Sequence, residues 1–190
     1  GFEASVRGGK RRVPGDQPQT EAQMTEARKL VQSIHSKLAA FVYDLDIGNS
    51  NVTKAKVVLD NGAEYTGQWD EAGHKEGRGV QVWVDGSMYE GYWTGDKANG
   101  KGRLIHADGD IYDGEWKDDK AHGFGIYNHT DGAQYEGNWF EDKQHGQGKE
   151  KWPDGACYEG TYSEGKKHGK GKFLWADAST YEGDFFDNNI

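Results

Sequence analysis

The chain has 190 residues, 34% apolar and 29% charged, with 29 glycines, one cysteine and a net charge of −9. That balance excludes an intramolecular disulfide and a spanning helix, which needs about 20 consecutive apolar residues; its acidic sign argues against a nucleic-acid binder, which needs a clustered positive field. With glycine at roughly double its usual share of about 7% and aromatic residues at 13%, burial must come from a few large rings, as in a thin sheet.

Residues 1–19 combine glycine, Pro14, Pro18 and the basic Arg7, Lys10, Arg11 and Arg12, a composition that cannot offset its own ordering entropy. They are expected to be a basic flexible tail or the remnant of an organellar import sequence; Gly1 is no initiator residue, which fits a processed form or a fragment. Thr20 with Gln23 three residues on is a capping-box signature, and residues 20–44 are expected to be an amphipathic helix. Its stripe of Ala27, Leu30, Val31, Ile34, Leu38, Phe41 and Val42 recurs at helical steps. Residues 45–56 read as a linker, Val57 to Leu59 as an opening strand, and 57–190 as a repeat array. The array is the acidic part: residues 54–190 hold 16 basic and 26 acidic side chains, net −10, against 7 and 6, net +1, before them.

Tyr89, Tyr112, Tyr135, Tyr158 and Tyr181 are 23 residues apart, with Gly91, Gly114, Gly137, Gly160 and Gly183 two places behind; Tyr65 precedes Tyr89 by 24. Gly-x-Gly pairs answer at 77/79, 100/102, 123/125, 146/148 and 169/171, and Asp-Gly pairs, strong hairpin signals, fall at 85/86, 108/109, 131/132 and 154/155. A fixed period of this size marks a stacked array whose units bury their faces against neighbours. Strand alternation puts Tyr112, Gly114 and Trp116 on one face and Asp113 and Glu115 on the other, so rings can lie over the bare glycine backbone of the next strand. Consecutive hairpins make a single-layer antiparallel meander, mostly β, with one N-terminal amphipathic helix.

These units, such as Tyr-Glu-Gly-Tyr-Trp at 89–93 and Tyr-Asp-Gly-Glu-Trp at 112–116, resemble the MORN (membrane occupation and recognition nexus) family over residues 61–186, as five repeats plus a partial sixth. The resemblance implies a non-catalytic scaffold or protein-interaction subunit of a larger assembly, cytoskeletal or axonemal as in radial-spoke heads. The alternatives are an organelle-imported accessory subunit, or a regulatory or lipid-binding module of a longer enzyme.

The residues themselves point to little chemistry. His122, His145 and His168 recur at the repeat period, but equivalent residues two strands apart are separated by about 9.6 Å, too far to share a zinc ion. Asp44, Asp46, Gly48 and Asn49 resemble a calcium loop without its closing glutamate, Ala55 standing there. Cys157 lacks a fixed base, acid pairs such as Asp118/Asp119 and Glu141/Asp142 read as a solvated rim, and the Gly-x-Gly pairs begin strands and open no helix. No catalytic residue, metal or cofactor is expected.

What remains is the aromatic face, Trp83, Tyr89, Trp93, Tyr112, Trp116, Tyr135, Trp139, Trp152, Tyr158, Tyr162 and Trp175, expected to hold the sheet, to receive the helix through Leu30, Ile34, Leu38 and Phe41, and to offer a partner its remaining rings. The last strand leaves an edge where Tyr181, Phe185 and Phe186 are expected to meet another polypeptide, a second copy end to end or a different subunit. The expected partners are protein subunits, with no nucleic acid and no membrane contact by the acidic array. The single cysteine favours a reducing intracellular compartment, cytoplasm, cytoskeleton or cilium, with mitochondrion or plastid as alternatives.

Overall fold

The computed structural model describes residues 20–45, 47 and 51–190; the expected tail, and Asp46, Gly48 and Asn49 of the calcium-like loop, lie outside them. The capping box forms. The Thr20 hydroxyl accepts from the Gln23 N–H and the Gln23 side chain accepts from the Thr20 N–H, opening helix α1, Glu21–Lys37. The helix stops seven residues before the expected residue 44. Leu38 is already extended (φ −78°, ψ 151°), because the sheet offers the following segment better partners than a further turn would. Arg103 donates to the Ala39 carbonyl at 3.0 Å and its guanidinium lies 5.9 Å from the Phe41 ring. Tyr43 packs edge-on against Tyr92 at 5.4 Å, and the Tyr92 hydroxyl accepts from the Leu45 N–H. Residues 38–45 are an extended strap.

Twelve strands follow: β1 Val52–Val58, β2 Glu64–Trp69, β3 Lys75–Val82, β4 Met88–Thr94, β5 Lys97–Ile105, β6 Ile111–Lys117, β7 Lys120–Asn128, β8 Gln134–Phe140, β9 Lys143–Lys151, β10 Cys157–Ser163, β11 Lys166–Leu174 and β12 Thr180–Phe185. They pair in sequence order in one antiparallel sheet. The meander is as expected, but β1 begins at Val52, inside the expected linker, because its pairing with β2 runs back to Val52 opposite Trp69 through a bulge between Lys54 and Val57.

Two kinds of hairpin alternate. At each Asp-Gly pair the loop is closed as at 83–87, where Trp83 N–H donates to Ser87 O, Gly86 N–H donates back to Trp83 O, and the Asp85 carboxylate accepts from the Ser87 N–H. Gly86 sits at φ +95°, a left-handed position that favours glycine. At the other end, two-residue loops such as Asp118-Asp119 and Glu141-Asp142 place non-glycine residues at positive φ, 48° and 69°, then 46° and 70°, as a type I′ turn requires.

The helix lies on the face opposite the one expected. The rings Tyr65, Tyr89, Tyr112, Tyr135 and Tyr158 are fully buried against their own neighbours, so the aromatic face has little apolar area left to cover. The second face does. Val31, the one fully buried residue of α1, packs with Met88 and Ile105, and Ile34 and Leu38 join them with Val80, Val82 and Ile111. Leu30 is 44% exposed and Phe41 belongs to the strap. The turn glycines make room, since a Cβ on Gly86 would lie 2.7 Å from the Arg28 nitrogen and one on Gly109 3.1 Å from Ile34 Cδ1. Burial of Val31 is worth roughly 1.5–3 kcal/mol. Val31→Asp should therefore release the α1 amides to hydrogen exchange while leaving the sheet's amides protected, whereas Leu30→Asp should change little; equal effects would contradict this docking.

Ion pairs complete the attachment. The Arg28 guanidinium hydrogen-bonds Glu64 and holds its carboxyl below the usual range, and Lys101, 2.9 Å from Asp44, does the same there. A depressed carboxylate contributes its stability above its unfolded value, near 4, and loses it as pH falls through the lower folded value. The contribution of so exposed a pair as Asp44–Lys101 is small, but the helix is thinly held. Below about pH 4 α1 and the strap should exchange faster relative to β6–β9 than at pH 7; an unchanged ratio would refute the linkage.

Candidate interaction site

In each unit the repeated tyrosine is the second residue of an even-numbered strand, and alternation sends its ring, the glycine two residues on and the following tryptophan, or Tyr162 in the fifth unit, to one face. The ring reaches across to the next strand. A Cβ on Gly125 would lie 2.3 Å from the Tyr112 hydroxyl, and Gly79, Gly102, Gly148 and Gly171 stand in the same relation to Tyr65, Tyr89, Tyr135 and Tyr158. The first glycine of each Gly-x-Gly pair does not lie under a ring but serves the register. Gly123, at φ +96°, lies where the β6–β7 register shifts between Gly114 and Trp116.

The rings form a continuous zipper of edge-to-face contacts. Tyr89 meets Trp93 at 5.0 Å and Trp116 at 5.4 Å; Tyr112 meets Trp116 at 4.9 Å and Trp139 at 5.3 Å; Tyr135 meets Tyr162, and Tyr158 meets Tyr162 and Phe185. Such pairs contribute about 0.5–1.5 kcal/mol each beyond area burial. Most polar tips have a partner: the hydroxyls of the repeated tyrosines donate to the carbonyl three residues on, as Tyr112 to Glu115 at 2.8 Å, and Trp93, Trp116 and Trp139 donate through Nε1 to Gly79, Gly102 and Gly125, whereas the buried Nε1 of Trp69 has no acceptor among the described residues. Burial pushes the Tyr158 hydroxyl up to about 12, and that of Tyr112 further.

Of the expected face residues, Tyr89, Trp93, Tyr112, Trp116, Tyr135, Trp139, Tyr158 and Tyr162 are buried in this zipper. Trp83 and Trp152 are half-buried against it, and Trp175, in ring contact with Phe173, is 36% exposed. At the C-terminal edge, Phe185 is buried between Tyr158 and Tyr181, Tyr181 donates to Asp184 O, and of the three expected contact residues Phe186 alone is well exposed. The strand's outer side carries the start of a further hairpin, Phe186 opposite Asn189.

Two features escape a reading by residue type. The second acid of each two-residue loop does not simply face solvent. Asp96, Asp119 and Asp142 each accept the N–H of the residue 21 places earlier, Lys75, Ala98 and Ala121, at 2.8 Å, while their own N–H groups donate to the same residues' carbonyls. Asn188 does this to Lys167, and Gly165 makes only the backbone half, to Gln144. The acids stitch unit to unit.

The second feature lies within the zipper, at positions that break the period. Where Leu104 and Tyr127 stand in the second and third Gly-x-Gly strands, β5 and β7, β3 has Gln81 and β9 has Glu150; where β5 and β7 have Ala98 and Ala121, β3 has Lys75 and β9 has Gln144. Lys75 Nζ donates to Gln81 at 2.6 Å and lies 4.2 Å from the Trp93 ring, and burial lowers its basicity. Glu150, 6% exposed, accepts from the Tyr162 hydroxyl at 2.6 Å and from Gln144 Nε2 at 3.2 Å.

The class of protein is defined by these facts: a repeat sheet in which each unit contributes a ring, the glycine beneath its neighbour and a stitch to the next unit. The sequence matches the MORN repeat at residues 65–88, 89–111, 112–134, 135–157 and 158–180, more than half the chain. It belongs to the MORN-repeat family, whose arrays are commonly scaffold or interaction modules and generally non-catalytic. No curated protein matches it. Among solved structures it is similar to the TCP domain of SAS-4 (dCPAP) of Drosophila melanogaster in complex with a proline-rich motif of Ana2 (dSTIL), at 12% identity and TM-score 0.31, over 75% of this chain and 70% of that one. A point mutant of the TCP10 domain of Danio rerio CPAP matches at 13% identity and TM-score 0.22, over 75% and 93%. An inactive virginiamycin B lyase from Staphylococcus aureus with quinupristin matches at 18% and 0.19, this chain spanning 44% of the lyase's length. These distant likenesses say nothing of function.

Proposed function

We propose that this chain is a non-catalytic scaffold, a protein-interaction subunit of a larger intracellular assembly, cytoskeletal or axonemal in kind. The observation that carries the proposal is the division of labour within each unit. The side chains that define the repeat are consumed in the zipper, the glycine contacts and the stitches, so most residues that vary between units, the buried Lys75, Gln81, Gln144 and Glu150 apart, decorate surfaces. Several of these are large and apolar yet exposed: Phe124 at 48%, Phe140 at 46% and Phe186 at 68%. Phe140, which ends β8, and Phe186, at the equivalent position just after β12, pack against His122, His145 and His168 along one rim. Aromatic anchors of this kind are favoured at interfaces. The cytoskeletal setting is supported by the occurrence of MORN arrays in radial-spoke heads, and the single cysteine supports a reducing compartment.

Crosslinking mass spectrometry on native material tests this reading. The expected result is reproducible crosslinks from lysines of the array to other subunits, in a particle much larger than the 21.1 kDa chain. A chain that migrates as a monomer from native material and yields only internal crosslinks would overturn it.

A further inference from the structure

Three departures from the repeat coincide where the fourth and fifth units meet. Tyr162 stands where the four earlier units have Trp69, Trp93, Trp116 and Trp139, Glu150 where the two units before its own have Leu104 and Tyr127, and Gln144 where those two have Ala98 and Ala121. A fourth is adjacent, Gly165 in place of Asp96, Asp119 and Asp142. The tryptophan that normally donates to a glycine carbonyl is replaced by a phenol that donates to Glu150. A groove of about 320 Å³ results, lined by Glu150, Trp152, His129, Asp131, Gly165 and Lys167 among others.

The polar cluster behind this groove, which meets it at Glu150, is short of donors. Both hydrogen bonds to Glu150 fall on Oε1, and none from the described residues reaches Oε2. Gln144 must turn its amide nitrogen to that carboxylate, and its own Oε1, fully buried, is left without a donor among the described residues. Lys167 makes no ion pair with Glu150; its ammonium lies 5.2 Å from the Trp152 ring and 5.5 Å from Tyr158. That seat shows that the aromatic wall accepts a cation. A buried carboxylate without a cationic partner is costly, and a guest carrying several N–H donors and a positive charge would supply what the cluster lacks.

We propose that this groove is a binding site for the ammonium or guanidinium of a lysine or arginine side chain on a partner polypeptide, with Glu150 as its counter-ion and Trp152 as its wall. The acidic array, net −10 over residues 54–190, favours the approach of such a segment. The inference rests on the scaffold reading only in taking the guest to be part of a protein. A chain that binds basic peptides but shows no partners on crosslinking would defeat the scaffold and not the site.

The test is an NMR titration of the full chain with short Gly/Ser peptides carrying a central lysine, arginine or glutamine, and with butylammonium chloride. The lysine and arginine peptides should shift the Trp152 indole and Gln144 amide signals saturably, and the glutamine peptide should not. Glu150→Gln, which keeps an acceptor for Tyr162, should weaken binding at least tenfold. Tyr162→Trp, which restores the ring of the other units, should abolish it without loss of thermal stability. Lys167→Met should strengthen binding by removing a like charge. No saturable shift with either basic peptide, equal binding of the glutamine peptide, or full affinity in Glu150→Gln would each overturn the site. Butylammonium binding as tightly as the peptides would overturn the assignment to a polypeptide.

Discussion

Gly125→Val is expected to destabilise the array by at least ~3 kcal/mol, and Gly125→Ala by nearly as much, while Glu136→Gln on the exposed face should cost less than ~0.5 kcal/mol. The near-equality of alanine and valine is diagnostic, because the clash begins at Cβ itself. That atom would lie 2.3 Å from the Tyr112 hydroxyl and 2.5 Å from Cζ. The ring has nowhere to move. It is held edge-on between Trp116 and Trp139, and its hydroxyl is bound to Glu115 O. Displacing it breaks two ring pairs of about 0.5–1.5 kcal/mol each and leaves a buried hydroxyl without its partner, about 1–3 kcal/mol more. Gly114→Val should do comparable damage by another route, since its Cβ would stand 2.4 Å from Gly125 Cα and 2.6 Å from Phe124 O and would push the strands apart. Urea denaturation measures all four. Alanine and valine variants at Gly125 both within ~1 kcal/mol of the parent would remove the stacking account.

The features legible in the sequence are those with a local or periodic cause. The 23-residue period, the hairpins at Asp-Gly and the rings over glycine follow from alternation and turn chemistry, and the start of α1 follows from Thr20 and Gln23. Its end does not, because the apolar spacing of Leu38, Phe41 and Val42 suits a helix as well as a strap. The decision is made by Tyr92, Lys101 and Arg103, 47 to 64 residues away in sequence from their strap partners. Nor does the face that α1 covers follow from the spacing of its apolar stripe. A signal was present in the positions flanking the turns, which run Met88, Ile111, Gln134, Cys157, Thr180 and Val82, Ile105, Asn128, Lys151, Leu174. The second face is apolar in the early units and mostly polar later, and only the early part needs a helix. The polar cluster around Glu150 was equally visible as a break in the period, but that Gln144, Glu150 and Tyr162 meet requires the register of β9 with β10, where Glu150 faces Tyr158 and Gly146 faces Tyr162.

Substitutions at Asp142 should separate two contributions that this position combines, with stability falling in the order Asn, Gly, Ala. The residue is left-handed at φ +70°, and its carboxylate and N–H together bind both polar groups of Ala121. Asparagine tolerates that conformation and keeps the acceptor, as Asn188 does toward Lys167, so Asp142→Asn should stay within ~0.5 kcal/mol of the parent. Glycine eases the backbone but leaves the Ala121 N–H without its acceptor, a loss of about 1 kcal/mol or more. Alanine loses the acceptor and adds the left-handed penalty of roughly 1–2 kcal/mol, for a total of about 2–3 kcal/mol. Gly165 shows that the backbone half of the stitch forms without a side chain, which is why glycine should be the milder of the two. Exchange of the Ala121 amide should quicken in Gly and Ala and not in Asn. If glycine proves as damaging as alanine, the conformational contribution is absent; if asparagine is as damaging as either, the stitch depends on the negative charge and the neutral-acceptor account is wrong.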